Sequence, residues 1–327
     1  MKAIVYHRYG SPDVLELAEV DRPAVGDDQV LVRVHASSVN ALDWHYMRGK
    51  PYIARPSFGL LKPKDGVLGA DFAGTVDSVG RNVTQFQAGD EVFGGKFGSI
   101  AEYVCVSEGG AVVPKPANLT FEQAAAVPVA ASTALQGLRD RGQVQAGQKV
   151  LVNGAGGGVG TFIVQIAKSL GAEVTAVTST KNVERIRSIG ADQVVDYSVD
   201  DFTQSGQRYD LILDIGGNRS MSELRRAMTP KGTLVIVGGG GGALLGPLAF
   251  MVRALVVSRF MSQRVLPFLA ETNKKDLLVL KELIEAGKVT PVIDRRYPLS
   301  EVPEAIRYLE AGHAQGKVVI TIGPEKK

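Results

Sequence analysis

A chain of 327 residues with 45% hydrophobic and 22% charged residues has the length of about two ordinary domains and enough apolar material to give each a core. A net charge of +3, with Lys and Arg scattered rather than gathered into a stripe, argues against nucleic acid as a partner, and a lone cysteine, Cys105, excludes both an intramolecular disulfide and a cysteine-rich zinc site. The opening MKAIVYHRYG has no apolar h-region and reads as a first strand, which leads to the expectation of a cytoplasmic protein, while the most apolar stretch, residues 242–260, carries Pro247, Arg253 and Arg259 and makes a poor membrane span.

In chain order, residues 1 to about 120 run as short strands, KAIVYH, VLELAEV, QVLVRVHASSV, FAGTVDSVG, GDEVFG and AEYVCV, with Gly and Pro between them. Even, short runs of this kind predict a β-barrel-like domain. Cys105 falls inside the alternating pattern AEYVCVSE, where a packed thiol is expected rather than a nucleophile. From about 124 the texture changes to strands alternating with helices. KVLVNG, EVTAVT, QVVDY, YDLILDIG and TLVIVGG are strands, and NVERIRSIG and MSELRRAM are helices between them, which predicts a doubly wound parallel sheet in an α/β fold. After about 264 come a helix, DLLVLKELIEAGK, a strand, VIDRRYPL, a helix, VPEAIRYLEAG, and a last strand, KVVITI. This tail completes the sheet of the first domain. The expected division is therefore 1–123 with 264–327 for one domain and 124–263 for the other. Segment 242–260 reads as core, as an interface or as a lid.

Within LVNGAGGGVG, five glycines fill residues 154–160 directly after an apolar run. Glycine loses the most backbone freedom on ordering, so such a cluster signals a close approach to the backbone. The flanks are a strand, KVLVNG, and a helix, VGTFIVQIAKSLG, with a second strand, EVTAV, following at once. Strand, glycine turn and helix place unpaired N–H groups and the positive end of the helix dipole where a dinucleotide's pyrophosphate binds. Of the G-x-G-x-x-G spacing, Gly157 and Gly160 fill the second and third places and Ala155 stands in the first.

GADFAGTVDSVGRNVTQFQAGDEVFG at 69–94, the glycine turn, and GHAQGKVVITI at 312–322 resemble the medium-chain dehydrogenase/reductase superfamily, and within it the zinc-free quinone oxidoreductase branch, which includes reductases of activated double bonds. The resemblance implies a GroES-like domain followed by a Rossmann domain. Zinc members of the superfamily hold a catalytic metal on Cys, His and a further Cys or Asp; at the matching positions this chain has Asn40, Ala70 and Asp71, and Val129, so no metal site is expected. Without a Lewis acid to stabilise an alkoxide, the better acceptor is one that already spreads negative charge, a quinone or an α,β-unsaturated carbonyl compound. The two competing readings are a non-catalytic NADPH-binding protein that acts through partners and an alcohol dehydrogenase-like reductase that has lost its metal.

By the same resemblance, NALDWHYMRGKPY lines the substrate cleft, with Asn40 near the nicotinamide and Tyr46 and Tyr52 near the substrate. A tyrosine hydroxyl can polarise the acceptor oxygen or lend a proton; packing with a bonded hydroxyl is the bland alternative. Asp43 is read as fixing the loop, and His35 and His45 as surface or core histidines. The acid that binds an NAD ribose is replaced by Thr178, and Ser179, Thr180 and Lys181 follow it, so NADPH is the expected cofactor. Cofactor contacts implied by the resemblance are Thr133, Ala155, Gly156, Gly157, Gly158, Val159, Gly160, Tyr197, Gly216, Val237, Gly238, Phe260, Met261, Ser262 and Lys317. A homodimer is expected, since the apolar 243–257 stretch needs cover.

Overall fold

A computed structural model describes residues 1–52, 55–64, 66–237 and 262–323. In chain order its elements are β1 (Lys2–Val5), β2 (Glu16–Glu19), β3 (Gln29–Val39), α1 (Ala41–Arg48), β4 (Asp71–Val79), β5 (Glu91–Gly95), β6 (Tyr103–Ser107), β7 (Val112–Pro114), α2 (Phe121–Ala125) and α3 (Pro128–Gln136). Then come β8 (Lys149–Asn153), α4 (Gly158–Ser169), β9 (Glu173–Thr178), α5 (Val183–Ser188), β10 (Gln193–Asp196), β11 (Tyr209–Asp214), α6 (Met221–Arg226), β12 (Met228–Val237) and β13 (Arg264–Phe268). The chain closes with α7 (Lys274–Glu285), β14 (Ile293–Pro298), α8 (Val302–Glu310) and β15 (Lys317–Thr321). Two compact units result, 1–132 with 271–287 and 291–327, and 133–270 with 288–290. Residues 124–132, grouped by sequence texture with the second domain, cluster with the first unit, and 264–270 cluster with the second because β13 joins the parallel sheet.

The first unit is built on a sheet in the order β14-β15-β3-β4-β5-β7, with β6 also pairing β3. Only β14 and β15 run parallel; the other pairs are antiparallel. The long strand β3 is buried at most positions because it has partners along both edges and sends Val30, Val32, Val34 and Val39 into one core. Val30, Val32, Val34, Phe72, Val76, Val92, Ile306, Val318 and Ile320 belong to one apolar cluster, so the tail from α8 to β15 is structurally part of the domain that the N-terminal strands begin. The pairing of β3 with β4 brings two backbones together at Gly74, where an added Cβ would lie 2.1 Å from the Arg33 carbonyl oxygen.

In the second unit the sheet order is β10-β9-β8-β11-β12-β13 and every pairing is parallel. The chain starts in the middle at β8, winds out to β10, then crosses back to β11 and winds out the other way, so the switch in winding direction lies between β8 and β11. Crevices for ligands form at the carboxyl ends of strands at such a switch. The 3.6-residue pattern predicts one apolar face on α4, but Gly160 through Ala167 are all buried. Gln165 is accommodated because its side-chain amide donates to the Thr161 and Thr290 carbonyls and its oxygen accepts the Thr290 N–H at 2.8 Å, which also fastens the returning 288–290 segment.

Replacing Gly74 with Ala should cost about 2 kcal/mol of stability through the backbone clash. Gly109→Ala, whose Cβ would meet nothing within 4 Å, should change stability by less than about 0.5 kcal/mol. Denaturant midpoints of the two variants check the pair.

Candidate active site and nucleotide turn

Three neighbouring strands of the first unit end together. Register places Ser38 opposite Asp71 across β3 and β4, and Val39 opposite Val318 across β3 and β15. Asn40, the residue between β3 and α1, therefore lies beside Lys317 at the start of β15 and Asp71 at the start of β4. All three are buried, Asn40 at 8%, Asp71 at 0% and Lys317 at 3% exposure. The Lys317 ammonium donates to Asn40 Oδ1 at 2.5 Å and stands 3.5 Å from Asp71 Oδ2. Asp71 Oδ2 also accepts Ser38 Oγ at 2.6 Å and Asn40 Nδ2 at 2.8 Å, while its Oδ1 accepts the Val129 backbone N–H at 2.8 Å. Burial pushes the Lys317 ammonium below the usual lysine range, and Asp71 and Asp43 oppose that shift.

The residues at the positions of a metal's ligands thus meet in space, but the groups they present are an amide, a carboxylate and a backbone N–H. Val129 offers a donor instead of a lone pair, and the carboxylate already carries three donors and an ammonium beside it. This set does not fit a zinc ion. Among the described residues, no group of three or more His, Cys, Asp or Glu is arranged to hold a metal. His35 bonds Thr75 through Nε2 at 2.9 Å with its ring against Phe121, and His45 bonds the Lys50 carbonyl through Nδ1 at 3.1 Å with its ring on Trp44. Both are packed side chains.

Asp43, in the first turn of α1, accepts the Asn40 backbone N–H at 2.7 Å and so holds the entry to that helix. Burial pushes its carboxyl up to about 7; the Asn40 N–H opposes the shift and Asp71 adds to it. Tyr46 is half-buried against Phe97, with ring centroids 4.8 Å apart. Tyr52 is exposed at 39%, its ring beneath the Arg55 guanidinium at 4.6 Å. Lys317, expected by resemblance among the cofactor contacts, is bonded to Asn40 and stands beside Asp71 in the first unit.

In the second unit the glycine turn lies at the carboxyl end of β8. Gly154 and Ala155 donate to the Val177 carbonyl of β9, and α4 begins after Gly157. The first bond along the helix is Thr161 N–H to Gly157 O at 3.1 Å, so the N–H groups of Gly158, Val159 and Gly160 lack partners within it. A Cβ on Gly160 would lie 2.3 Å from the Gly154 carbonyl oxygen, and one on Gly156 would lie 2.6 Å from both Thr178 Oγ1 and Asn182 Nδ2. A Cβ on Gly157 would meet only Gly154 O, at 3.7 Å. Among the described residues the turn is closed at Gly156 and Gly160 and leaves room at Gly157, which fits a pyrophosphate.

Around it, Thr178 is buried at the end of β9, and exposed Thr180 and Lys181 and half-buried Ser179 follow. Exposed Tyr197 donates its backbone N–H to the Thr178 carbonyl. Gly216 is exposed just past β11 and donates to the Asn153 carbonyl; Thr133 is half-buried in α3, and buried Val237 ends β12. Ser262 stands elsewhere. It precedes β13, and its hydroxyl donates to the Pro230 carbonyl at 2.5 Å, towards the amino ends of the parallel strands. Gly238, Phe260, Met261 and the 242–260 segment lie outside the described residues.

Two groups were not singled out from sequence. Asn153 and Asp214 close β8 and β11 on either side of the winding switch; Asn153 Nδ2 donates to Asp214 Oδ1 at 2.7 Å and to Asn218 Oδ1 at 3.0 Å. Burial pushes the Asp214 carboxyl up. A polar residue ending an otherwise apolar run, KVLVN and LILD, is the signal that marks them. Asp196, the last residue of β10, stands in direct register with Thr178, so a carboxylate absent from the end of β9 is present one strand over.

Residues 26–117 match the family described as "Alcohol dehydrogenase GroES-like domain" and residues 189–320 the family "Zinc-binding dehydrogenase". The chain is 36% identical to the 2-methylene-furan-3-one reductase of Solanum lycopersicum and 35% identical to the chloroplastic NADPH-dependent alkenal/one oxidoreductase of Arabidopsis thaliana; each alignment covers 98% of this chain and 79% of the relative. The solved quinone oxidoreductase of Coxiella burnetii superposes with a TM-score of 0.85 at 31% identity, covering 99% of both chains.

Asp43→Asn keeps an oxygen for the Asn40 N–H and removes a charge that burial disfavours. The folded carboxyl titrates above its unfolded value of 3.8, so the stability it contributes is complete below that value and is lost as pH rises to about 7. Wild type should therefore lose about 2 kcal/mol relative to the variant between pH 5 and pH 8. Lys317→Met, which leaves Asp71 buried beside no cation, should cost about 3 kcal/mol or more. Denaturant unfolding across that pH range measures both.

Proposed function

The chain belongs to the medium-chain dehydrogenase/reductase superfamily, and on that premise we propose that it is an NADPH-dependent reductase that delivers hydride to quinones or to the activated double bond of α,β-unsaturated carbonyl compounds. The observation that carries the acceptor class is the set of groups around Asp71. An amide, a backbone N–H and an ammonium provide hydrogen bonds and fixed charge but no metal ligands, which suits an acceptor whose conjugation spreads the incoming negative charge.

NADPH, when bound, supplies the hydride. The open N–H groups at the start of α4 hold its pyrophosphate, and Ser179, Thr180, Lys181 and Tyr197 hold the 2′-phosphate end, with Thr133, Gly216 and Val237 as further contacts. Asn40 spends its amide oxygen on Lys317 and an amide hydrogen on Asp71, and its side chain also bonds the Asp43 carboxyl, so its part is to hold this wall of the acceptor site in place. The proton that completes reduction comes from the hydroxyl of Tyr46 or Tyr52 or from solvent. Turnover is zinc-independent in this reading.

No helix among the described residues is long and apolar enough to cross a membrane. A cytoplasmic location is proposed because a chain with one cysteine has no need of an oxidising compartment. A homodimer is proposed because the apolar sequence of 243–257 calls for a covering surface. A concentration-independent monomer in light scattering would count against the dimer.

NADPH absorbance should fall when the protein is mixed with members of a quinone and enone panel, and the rate should persist in chelator. An inert protein across the panel returns the reading to a binding role. Lys181→Ala should weaken NADPH by about tenfold or more, the worth of one charge-assisted contact, and leave NADH almost unchanged. Thr178→Asp should shift preference toward NADH by adding a ribose acceptor and a repulsive charge. Dissociation constants for both cofactors decide these two outcomes.

A further inference from the structure

The hydroxyls at the ends of β9 and β10 are not equivalent donors. Ser198 gives its backbone N–H to Asp196 Oδ1 at 3.0 Å and its hydroxyl proton to the same oxygen at 2.6 Å. Thr180 Oγ1 stands 3.0 Å from Ser198 Oγ. A hydroxyl has one proton. Since the Ser198 proton is already on Asp196, the Thr180 proton goes to Ser198 Oγ or directly to Asp196, and the two hydroxyls form a relay that ends on the carboxylate. Ser179 differs: its oxygen accepts Asn182 Nδ2 at 3.2 Å, so its own proton is still available. One of the residues that would greet a 2′-phosphate thus has its donor spent, and a carboxylate lies behind it. The Ser198 and Thr180 hydroxyls hold that carboxyl below the usual range.

We propose that Asp196 is a specificity-determining residue that holds down this protein's preference for NADPH over NADH. The inference rests on the reading that Ser179, Thr180 and Lys181 receive the adenosine-ribose end of the cofactor. Asp196 opposes Lys181 in two ways there. Its negative charge repels the 2′-phosphate dianion, and its relay withdraws the Thr180 proton that the phosphate would use. Neither effect touches a ribose that carries a plain 2′-hydroxyl. The position follows from the parallel register of Asp196 with Thr178, which sets the carboxylate at the same level of the sheet as the strand end that reads the ribose.

The test is a fluorescence titration of the intact protein with NADPH and with NADH, at low and at high salt, for wild type, Asp196→Asn and Asp200→Asn. Asparagine keeps an oxygen for the Ser198 turn and removes only the charge. Asp196→Asn should tighten NADPH by roughly three- to tenfold at low salt and leave NADH within about twofold, and the gain should shrink in high salt as screening grows. Asp200→Asn removes the same charge from an exposed position four residues on and should change neither cofactor appreciably. Equal tightening of both cofactors, no tightening of either, or an equal gain from Asp200→Asn would overturn the proposal while leaving the nucleotide site intact. Wild type that binds neither cofactor would reject the nucleotide reading and this inference with it.

Discussion

The first unit depends on one buried electrostatic arrangement, the Lys317 ammonium held against the Asn40 amide and the Asp71 carboxylate. Taking either charge out of water costs several kcal/mol, and attraction between the two offsets this only when the remaining lone pairs and protons are also satisfied. That condition explains the company Asp71 keeps. Ser38, Asn40 and the Val129 N–H all donate to it, and removing any one would leave a charged oxygen short of a partner. Three strands must keep register for these donors to converge, so the pairing of β15 with β3 and of β3 with β4 is fixed by polar groups as well as by the valines between them. The orientation of the Asn40 amide is fixed too, since its oxygen must face an ammonium and its nitrogen a carboxylate.

The second unit depends on a different constraint, the closeness of backbone to backbone at the glycine turn. Gly160 lies so near Gly154 that no side chain fits, and the helix that begins there has first N–H groups without partners within it. Apolar strands fill the interior, and the polar residues Asn153, Thr178, Asp196 and Asp214 are confined to the carboxyl ends. That confinement is what makes the end of the sheet a recognition surface: strands set the level, and single terminal residues set the chemistry.

Much of this was legible in the sequence. The order of strands and helices, the glycine turn, and the return of the tail to the first sheet follow from period, punctuation and composition. The neighbours of Lys317 and Ser262 were not, because each depends on strand register that no local pattern encodes. Lys317 sits in GKVVITI like any strand-opening lysine, and only the pairing of Val318 with Val39 reveals its neighbours. Ser262 is set by which end of a parallel strand it precedes. Asp196 was hidden for the same reason, since QVVDY shows a carboxylate at a strand end but not the strand beside it. The all-round burial of α4 was masked by Gln165, whose polarity is resolved by a segment more than a hundred residues away.

The position of β15 between β14 and β3 has a consequence for how the protein is made. Lys317 follows Asp71 by 246 residues. A ribosome working at about 5–20 residues per second needs on the order of 10–50 seconds to cover that distance. Throughout that interval the carboxylate at the start of β4 has no ammonium to meet, and the Ala36–Val39 end of β3 is open along the edge that β6 covers only at Gln29–Arg33. The nascent first unit is therefore a client for anything that binds open strand edges, and its site closes only once the last strand has emerged from the exit tunnel.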